Sequence, residues 1–207
     1  WRTPPDCTGA LQPVPAGWPM DGQTAILSHM RAAVYHGRED VRLESVPEPQ
    51  PGPGDVKLRV RYNGICGSDL LEYYDGPVTT RTTPHPLTGV TNPVILGHEL
   101  CGEVVALGEG VEDLARGDLI AVEPLETCGR CIYCGSGQYN HCPLVAFHGY
   151  NRRGGGLAEY TVVKRAMAHR LPPGVTAMQG ALIEPLGVAW HTAERCMVEA
   201  GQTVAIH

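Results

Sequence analysis

The segment TCGRCIYCGSGQYNHCP, residues 127–143, carries Cys128, Cys131, Cys134 and Cys142 in the spacing Cys-x2-Cys-x2-Cys-x7-Cys. The two-residue gaps let successive thiolates turn toward one centre, and the fourth thiolate completes a tetrahedron of zinc ligands. Four protein ligands leave no open position, so such a site is structural and stabilises a loop that is too small to have its own core. The segment therefore predicts a structural zinc ion. Disulfides, an iron–sulfur cluster and a nucleic-acid-binding zinc ribbon are the alternatives.

Composition and charge weigh against several of these alternatives. The chain shows no signal-peptide pattern, which favours a cytoplasmic, reducing compartment where clustered cysteines more often hold metal than form disulfides. Its 16 basic and 22 acidic residues give a net charge of −6, so it has no electrostatic reason to bind nucleic acid or an anionic membrane. No apolar run approaches the roughly 20 residues of a membrane span. We therefore expect neither nucleic acid nor membrane as a partner.

The sequence on both sides of the cysteine segment predicts a β-rich domain. DVKLRVRYNGIC, residues 55–66, places Val56, Leu58 and Val60 on one face and Lys57, Arg59 and Arg61 on the other. Further short apolar stretches bounded by Gly, Pro and Asp are typical of a barrel or sandwich. Residues 1–29 are dense in Pro and Gly and are interpreted as a disordered extension or as translated upstream sequence.

The last part of the chain has a different pattern. Residues 176–198 predict two helical pieces that are broken at Glu184-Pro185, because the residue before a proline avoids helical angles. Residues 203–206 predict a short apolar strand behind a Gly turn. A helix, a turn and a strand in this order form the beginning of an α/β domain.

A second set of potential metal ligands is spread over three motifs, GICGSD with Cys66, GHE with His98, and ALIEP with Glu184. Each motif alone is a weak signal. Together they offer one sulfur, one nitrogen and one carboxylate. Three protein ligands leave a fourth position for water or substrate, as in catalytic zinc sites.

The motifs GICGSD, GHE, the four-cysteine segment, GGGLAEY and ALIEP, in this order, resemble the zinc-dependent medium-chain dehydrogenase/reductase family. HPLTGVTNPVILGHE and GALIEPLGVAWH are most similar to its 2,3-butanediol dehydrogenases, with sorbitol and threonine dehydrogenases as near relatives. The resemblance implies a GroES-like β-barrel catalytic domain with a zinc lobe over residues 30–181. It also implies the first helix and strand of a truncated Rossmann NAD(P)-binding domain over residues 182–207.

The resemblance also implies a function and its cofactors. The expected reaction transfers hydride between a small secondary alcohol or vicinal diol and NAD or NADP, with two zinc ions per chain. A polyol or threonine dehydrogenase is the alternative within the family, and a non-catalytic zinc-stabilised β-domain is the alternative outside it. Family members suggest a homodimer or homotetramer at full length.

Site roles follow by resemblance. Cys66 and His98 are expected zinc ligands. Because neighbouring residues of an extended chain point opposite ways, and because Pro185 is expected to hold Glu184 extended, Glu184 is preferred as third ligand and Glu99 is the alternate. Asp69 is expected to orient His98 through its free ring N–H.

The resemblance assigns Ser68 to take the substrate's hydroxyl proton. Related sequences usually carry His two residues after the aspartate as the next group of the proton relay, but this chain has Leu71. Either water, Glu72 or a cofactor hydroxyl is expected to replace it, or turnover is expected to be slower. His85 and His148 are further candidates for lining the pocket.

Overall fold

The computed structural model describes residues 28–206 and consists mainly of β-strands. The strands are β1 (His29–Gly37), β2 (Asp40–Pro47), β3 (Asp55–Asn63), β4 (Val94–Ile95), β5 (Leu100–Leu107), β6 (Leu119–Val122), β7 (Leu125–Glu126), β8 (Ala146–Phe147), β9 (Tyr160–Lys164) and β10 (Ala168–Arg170). The helices are α1 (Gly67–Asp75), α2 (Ile132–Gly135), α3 (Ala177–Ala181) and α4 (Ile183–Arg195), with 3₁₀ turns at Tyr139–His141 and Arg165–Met167. The expectation of a mainly β fold is confirmed.

Two antiparallel sheets form the body of the domain. The larger has the strand order β10-β6-β5-β3-β9, and the smaller has the order β2-β1-β4. Backbone contacts join the two sheets at the point where β1 runs beside the segment just before β9. These contacts are an Ala32–Ala158 β-bridge and a 2.8 Å hydrogen bond from the Ala33 N–H to the Leu157 carbonyl. This connection gives the barrel-like shape that the alternating sequence predicted.

The alternation of β3 is confirmed except at one residue. Val56 and Leu58 are fully buried in the main core, and Val60 packs partly against it. Lys57, predicted on the polar face, is also buried because its ammonium group forms an ion pair with Glu48, which lies just after β2. A lysine is buried in this way only when its charge is compensated.

The helical region differs from its prediction. The break between the helices falls at Leu182, and Glu184-Pro185 lies inside the first turn of α4. Proline is tolerated there because the first N–H groups of a helix have no partner within the helix. Residues 203–206 form no strand and are exposed. In the described part of the chain no strand lies beside them to supply the hydrogen bonds a strand requires.

Two glycines before β9 allow the chain to pass close to the segment that leads to His98. A Cβ atom at Gly155 would lie 2.1 Å from the Ile95 carbonyl oxygen, and one at Gly156 would lie 1.8 Å from Asn63 Oδ1. At Gly155 the atoms in the way are backbone, so only glycine fits there, whereas at Gly156 the Asn63 side chain would have to move. Residues 1–27, which include Cys7 and most of the expected extension, lie outside the described residues.

Candidate metal centres

The four-cysteine segment folds as a lobe between β7 and β8, and these two strands pair with each other. The Sγ atoms of Cys128, Cys131, Cys134 and Cys142 lie within 4.8 Å of one another. Cys131 and Cys134 Sγ are 3.5 Å apart, and Cys128 and Cys134 Sγ are 4.0 Å apart. A tetrahedron of Zn–S bonds of about 2.3 Å has sulfur–sulfur edges of about 3.8 Å. The donor set and its spacing therefore fit a zinc ion.

The surroundings of Cys128 favour its thiolate form, whereas burial raises the pKa of the Cys142 thiol to about 12. Burial opposes ionisation of Cys128, but hydrogen bonds from the backbone of Arg130 and Cys131 outweigh it and lower the pKa of the Cys128 thiol to about 6. Backbone N–H groups of Cys128 and Cys134 each point at a cysteine sulfur of the lobe at 3.5 Å. Across residues 127–142 only Cys142 is buried, so the lobe has almost no apolar core to hold it together.

A second group of ligand atoms comes from two distant segments. Cys66 precedes α1, while His98 and Glu99 lie between β4 and β5, and the ligand atoms of these three side chains lie within 4.8 Å of one another. The Gly64 N–H donates to the Glu99 carbonyl at 2.8 Å, which joins the two segments beside the site. Sulfur, nitrogen and carboxylate oxygen are the donors of an open zinc site, and these residues fit one.

The two assumptions that favoured Glu184 over Glu99 as third ligand are wrong. Glu99 reaches the same site as His98 because the chain there is not a regular strand, and Gly97 turns it at a φ of +98°. Glu184 is helical rather than extended. Burial, followed by the charges of Glu99 and Asp69, raises the pKa of the Glu184 carboxyl. Glu184 therefore lies near the centre, although it is outside the group of three described above.

Asp69 links the two expected ligands. Its Oδ2 accepts the Cys66 N–H at 3.0 Å, which caps the start of α1. Its Oδ1 lies 3.6 Å from Nδ1 of His98, a contact slightly longer than a hydrogen bond. Burial lowers the pKa of His98, against the opposing charges of Asp69 and Glu99. The neutral ring, which is the form that binds metal, is therefore favoured.

The structure adds a residue that the sequence did not indicate. The hydroxyl of Tyr150 lies 2.7 Å from Ser68 Oγ and 3.0 Å from Asp69 Oδ1. Ser68 Oγ in turn lies 3.5 Å from Nε2 of His98. Tyr150 is distant from these residues in sequence and belongs to none of the motifs, so no local pattern indicated it.

Glu72 is not available as a replacement for the missing relay histidine at Leu71. It is 1% exposed, and its carboxylate accepts hydrogen bonds from Val78 N, Thr79 N and both the N–H and the hydroxyl of Thr80. These bonds hold the loop after α1 against the helix. The expectation that Glu72 continues the relay is therefore wrong.

Both further histidines are buried. The ring of His85 is bonded to backbone groups, with Nε2 at 3.2 Å from the Val145 carbonyl oxygen and Nδ1 accepting from the Leu87 N–H at 3.2 Å. His148 Nε2 lies 3.0 Å from the Thr161 hydroxyl, and complete burial lowers the pKa of His148 to about 4. His85 therefore fastens loops together, and His148 is neutral at physiological pH.

Comparisons with known proteins agree with this architecture. Residues 52–173 match the family model of the alcohol dehydrogenase GroES-like domain. The chain belongs to the zinc-dependent medium-chain dehydrogenase/reductase family. It is 42% identical to the (R,R)-butanediol dehydrogenase of Bacillus subtilis over 86% of this chain and 50% of that protein. It is 37% identical to the sorbitol dehydrogenase of the same organism over 86% of this chain and 48% of that protein.

Solved structures of this family share the fold. The crystal structure of 2R,3R-butanediol dehydrogenase from Bacillus subtilis matches with a TM-score of 0.78 and 41% identity, over 84% of this chain and 49% of that one. A protein described as a zinc-binding dehydrogenase from Sinorhizobium meliloti 1021, bound to NADP, matches with a TM-score of 0.74 and 35% identity. The match covers 85% of this chain and 48% of that one. The chain thus spans about half the length of the relatives it matches. Within residues 28–206 there is no helix long and apolar enough to cross a membrane.

Proposed function

We propose that this chain forms the metal-binding part of a zinc-dependent oxidoreductase that transfers hydride between a small secondary alcohol or vicinal diol and NAD or NADP. The observation that carries the proposal is the pair of preformed donor groups, one closed and made of four sulfurs, the other open and made of sulfur, nitrogen and carboxylate. The butanediol and sorbitol dehydrogenases among its relatives support a diol or polyol substrate. A polyol is the second candidate substrate, after a small secondary alcohol or vicinal diol.

Two zinc ions per chain are part of the proposal. The lobe cysteines would hold one ion, and Cys66, His98 and a carboxylate from Glu99 or Glu184 would hold the other. At the open site zinc would act as a Lewis acid that lowers the pKa of a bound alcohol. Ser68 Oγ, 3.5 Å from the His98 ring, would take the hydroxyl proton and pass a proton on. The nicotinamide would accept the hydride. Residues 182–206 would begin the nucleotide-binding domain, and the whole protein would be a homodimer or homotetramer.

The test is zinc per chain by elemental analysis, with a matched cysteine control. Cys66→Ala should lower the zinc content from two ions to one while the fold is retained, and in the full-length enzyme it should abolish nucleotide reduction with butanediol and sorbitol. Cys196→Ala removes an exposed cysteine outside both groups and should change neither. A single zinc that Cys66→Ala leaves in place would refute the open site and favour a non-catalytic zinc-stabilised domain.

A further inference from the structure

Tyr150 is built into the open metal centre by two kinds of contact. Its side chain is almost completely buried, with 3% of its surface exposed. Its ring lies 5.1 Å from the His98 ring and 5.5 Å from Phe147, with which it stacks. Phe147 contacts the His98 ring edge-on, also at 5.1 Å. The imidazole therefore packs against both members of a stacked aromatic pair.

The hydroxyl of Tyr150 has two partners of different chemistry. A carboxylate can only accept hydrogen bonds, so the phenol proton is donated to Asp69 Oδ1, 3.0 Å away. The Tyr150 hydroxyl has donor geometry toward both Asp69 Oδ1 and Ser68 Oγ, which lies 2.7 Å away, but it carries a single proton. With that proton on the side of Asp69, the phenol oxygen can accept the proton of the Ser68 hydroxyl. This arrangement orders the three groups as a chain that runs from Ser68 through Tyr150 to Asp69.

The direction of these hydrogen bonds determines whether the Ser68 hydroxyl can accept a proton from a molecule bound at the metal centre. When the serine proton points to Tyr150, a serine lone pair is available to accept a proton from a bound alcohol, while the serine's own proton moves to Tyr150 and the phenol proton moves to Asp69. Without the phenol, the Ser68 hydroxyl loses this partner and keeps only its 3.5 Å contact with Nε2 of His98. Asp69 would also lose a donor at the oxygen that faces Nδ1 of His98.

We propose that Tyr150 is a positioning residue of the open metal centre, which orients the Ser68 hydroxyl as a proton acceptor and fixes Asp69 and His98 in place. The proposal rests on the proposed function, because it requires a metal ion at Cys66 and His98. This chain has Leu71 where related sequences carry the relay histidine. The Tyr150 hydroxyl would still give Ser68 an ordered polar partner.

The test compares two buried tyrosines. Tyr150→Phe keeps the ring and removes the hydroxyl. Tyr35→Phe is the matched control, because Tyr35 is also fully buried and donates one hydrogen bond, to the Glu72 carbonyl at 2.8 Å, away from the metal ligands. Cobalt(II) is titrated into metal-free protein, and the absorption of the open site is isolated by subtracting the spectrum of Cys66→Ala.

We expect Tyr150→Phe to weaken cobalt binding at the open site about tenfold and to shift its visible bands, as for other groups that orient metal ligands. Tyr35→Phe should stay within about twofold of the unmodified protein. In the nucleotide-reduction assay Tyr150→Phe should lower kcat and leave KM unchanged. Equal cobalt affinity and spectra for the two variants would overturn the inference. Absence of a second cobalt site in the unmodified protein would instead refute the proposed function itself.

A second variant keeps the inference testable if Tyr150→Phe does not fold. Ser68→Ala removes one partner of the phenol and leaves its bond to Asp69. Cobalt affinity should therefore stay within about twofold, while kcat falls. A tenfold loss of affinity in Ser68→Ala would show that Asp69 and His98 are not fixed through Tyr150, and would overturn the assignment.

Discussion

The two metal centres are built in opposite ways. The lobe takes all of its candidate ligands from one short segment, and apart from backbone hydrogen bonds and a Tyr133–His141 ring contact it has only one buried residue, Cys142. The open centre takes its candidate ligands from the segment before α1 and the segment after β4, and buried hydrogen bonds and aromatic rings surround them. We therefore expect the lobe to depend on a bound metal for its structure, and the frame of the open centre to depend on the barrel.

The largest effect that distinguishes the two centres is expected from Cys131→Ala. Loss of one of four sulfurs should release the lobe metal and unfold residues 127–142, because structural zinc supplies about 10 kcal/mol or more of folding free energy in domains without a core. Hydrogen exchange should show lost protection across the lobe only. In Cys66→Ala the same amides should remain protected. Retained protection in Cys131→Ala would mean that the lobe is stable without its metal.

A smaller effect, on stability, is expected from a substitution that weakens the structure around the open centre but leaves its candidate metal ligands unchanged. Glu72→Ala would leave its hydrogen-bond donors unsatisfied and should lower the free energy of unfolding by about 3 kcal/mol. The measurement is denaturant unfolding, with Glu112→Ala, an exposed carboxylate, as control. If both variants lost equally little stability, the frame would not depend on this buried carboxylate.

The smallest effect concerns the third ligand of the open centre. Glu99→Gln should weaken cobalt binding about tenfold, because the Glu99 carboxylate oxygen lies close to the sulfur of Cys66 and the nitrogen of His98. Glu184→Gln should weaken cobalt binding only about threefold. Titration of the metal-free protein with cobalt measures both. The reverse order would identify Glu184 as the ligand and Glu99 as its neighbour.

The contrast also explains how much the sequence could predict. The lobe's spacing and the alternation of β3 are local patterns. The spacing correctly predicted that the four sulfurs come together, and the alternation is correct except at Lys57, whose burial depends on its ion pair with Glu48 from the preceding segment. Cys66 and His98 required a family resemblance, because their proximity arises only from the fold. The choice between Glu99 and Glu184 depended on the turn at Gly97 and the helical start around Pro185. Tyr150 acts through long-range contacts that no local pattern encodes. Glu72 bonds to the nearby loop at Val78–Thr80, but its burial depends on the fold.

The β7–β8 pair has a further consequence for the evolution of the lobe. Because the lobe leaves and re-enters the barrel through adjacent strands, insertions or deletions within it can be accommodated without moving the barrel. The strands themselves have no such freedom. Phe147 lies in β8 and also contacts the His98 ring. A one-residue slip of β8 would turn Phe147 to the opposite face. The length of the lobe can therefore change without disturbing the Phe147–His98 contact, whereas the register of the strands that carry the lobe cannot.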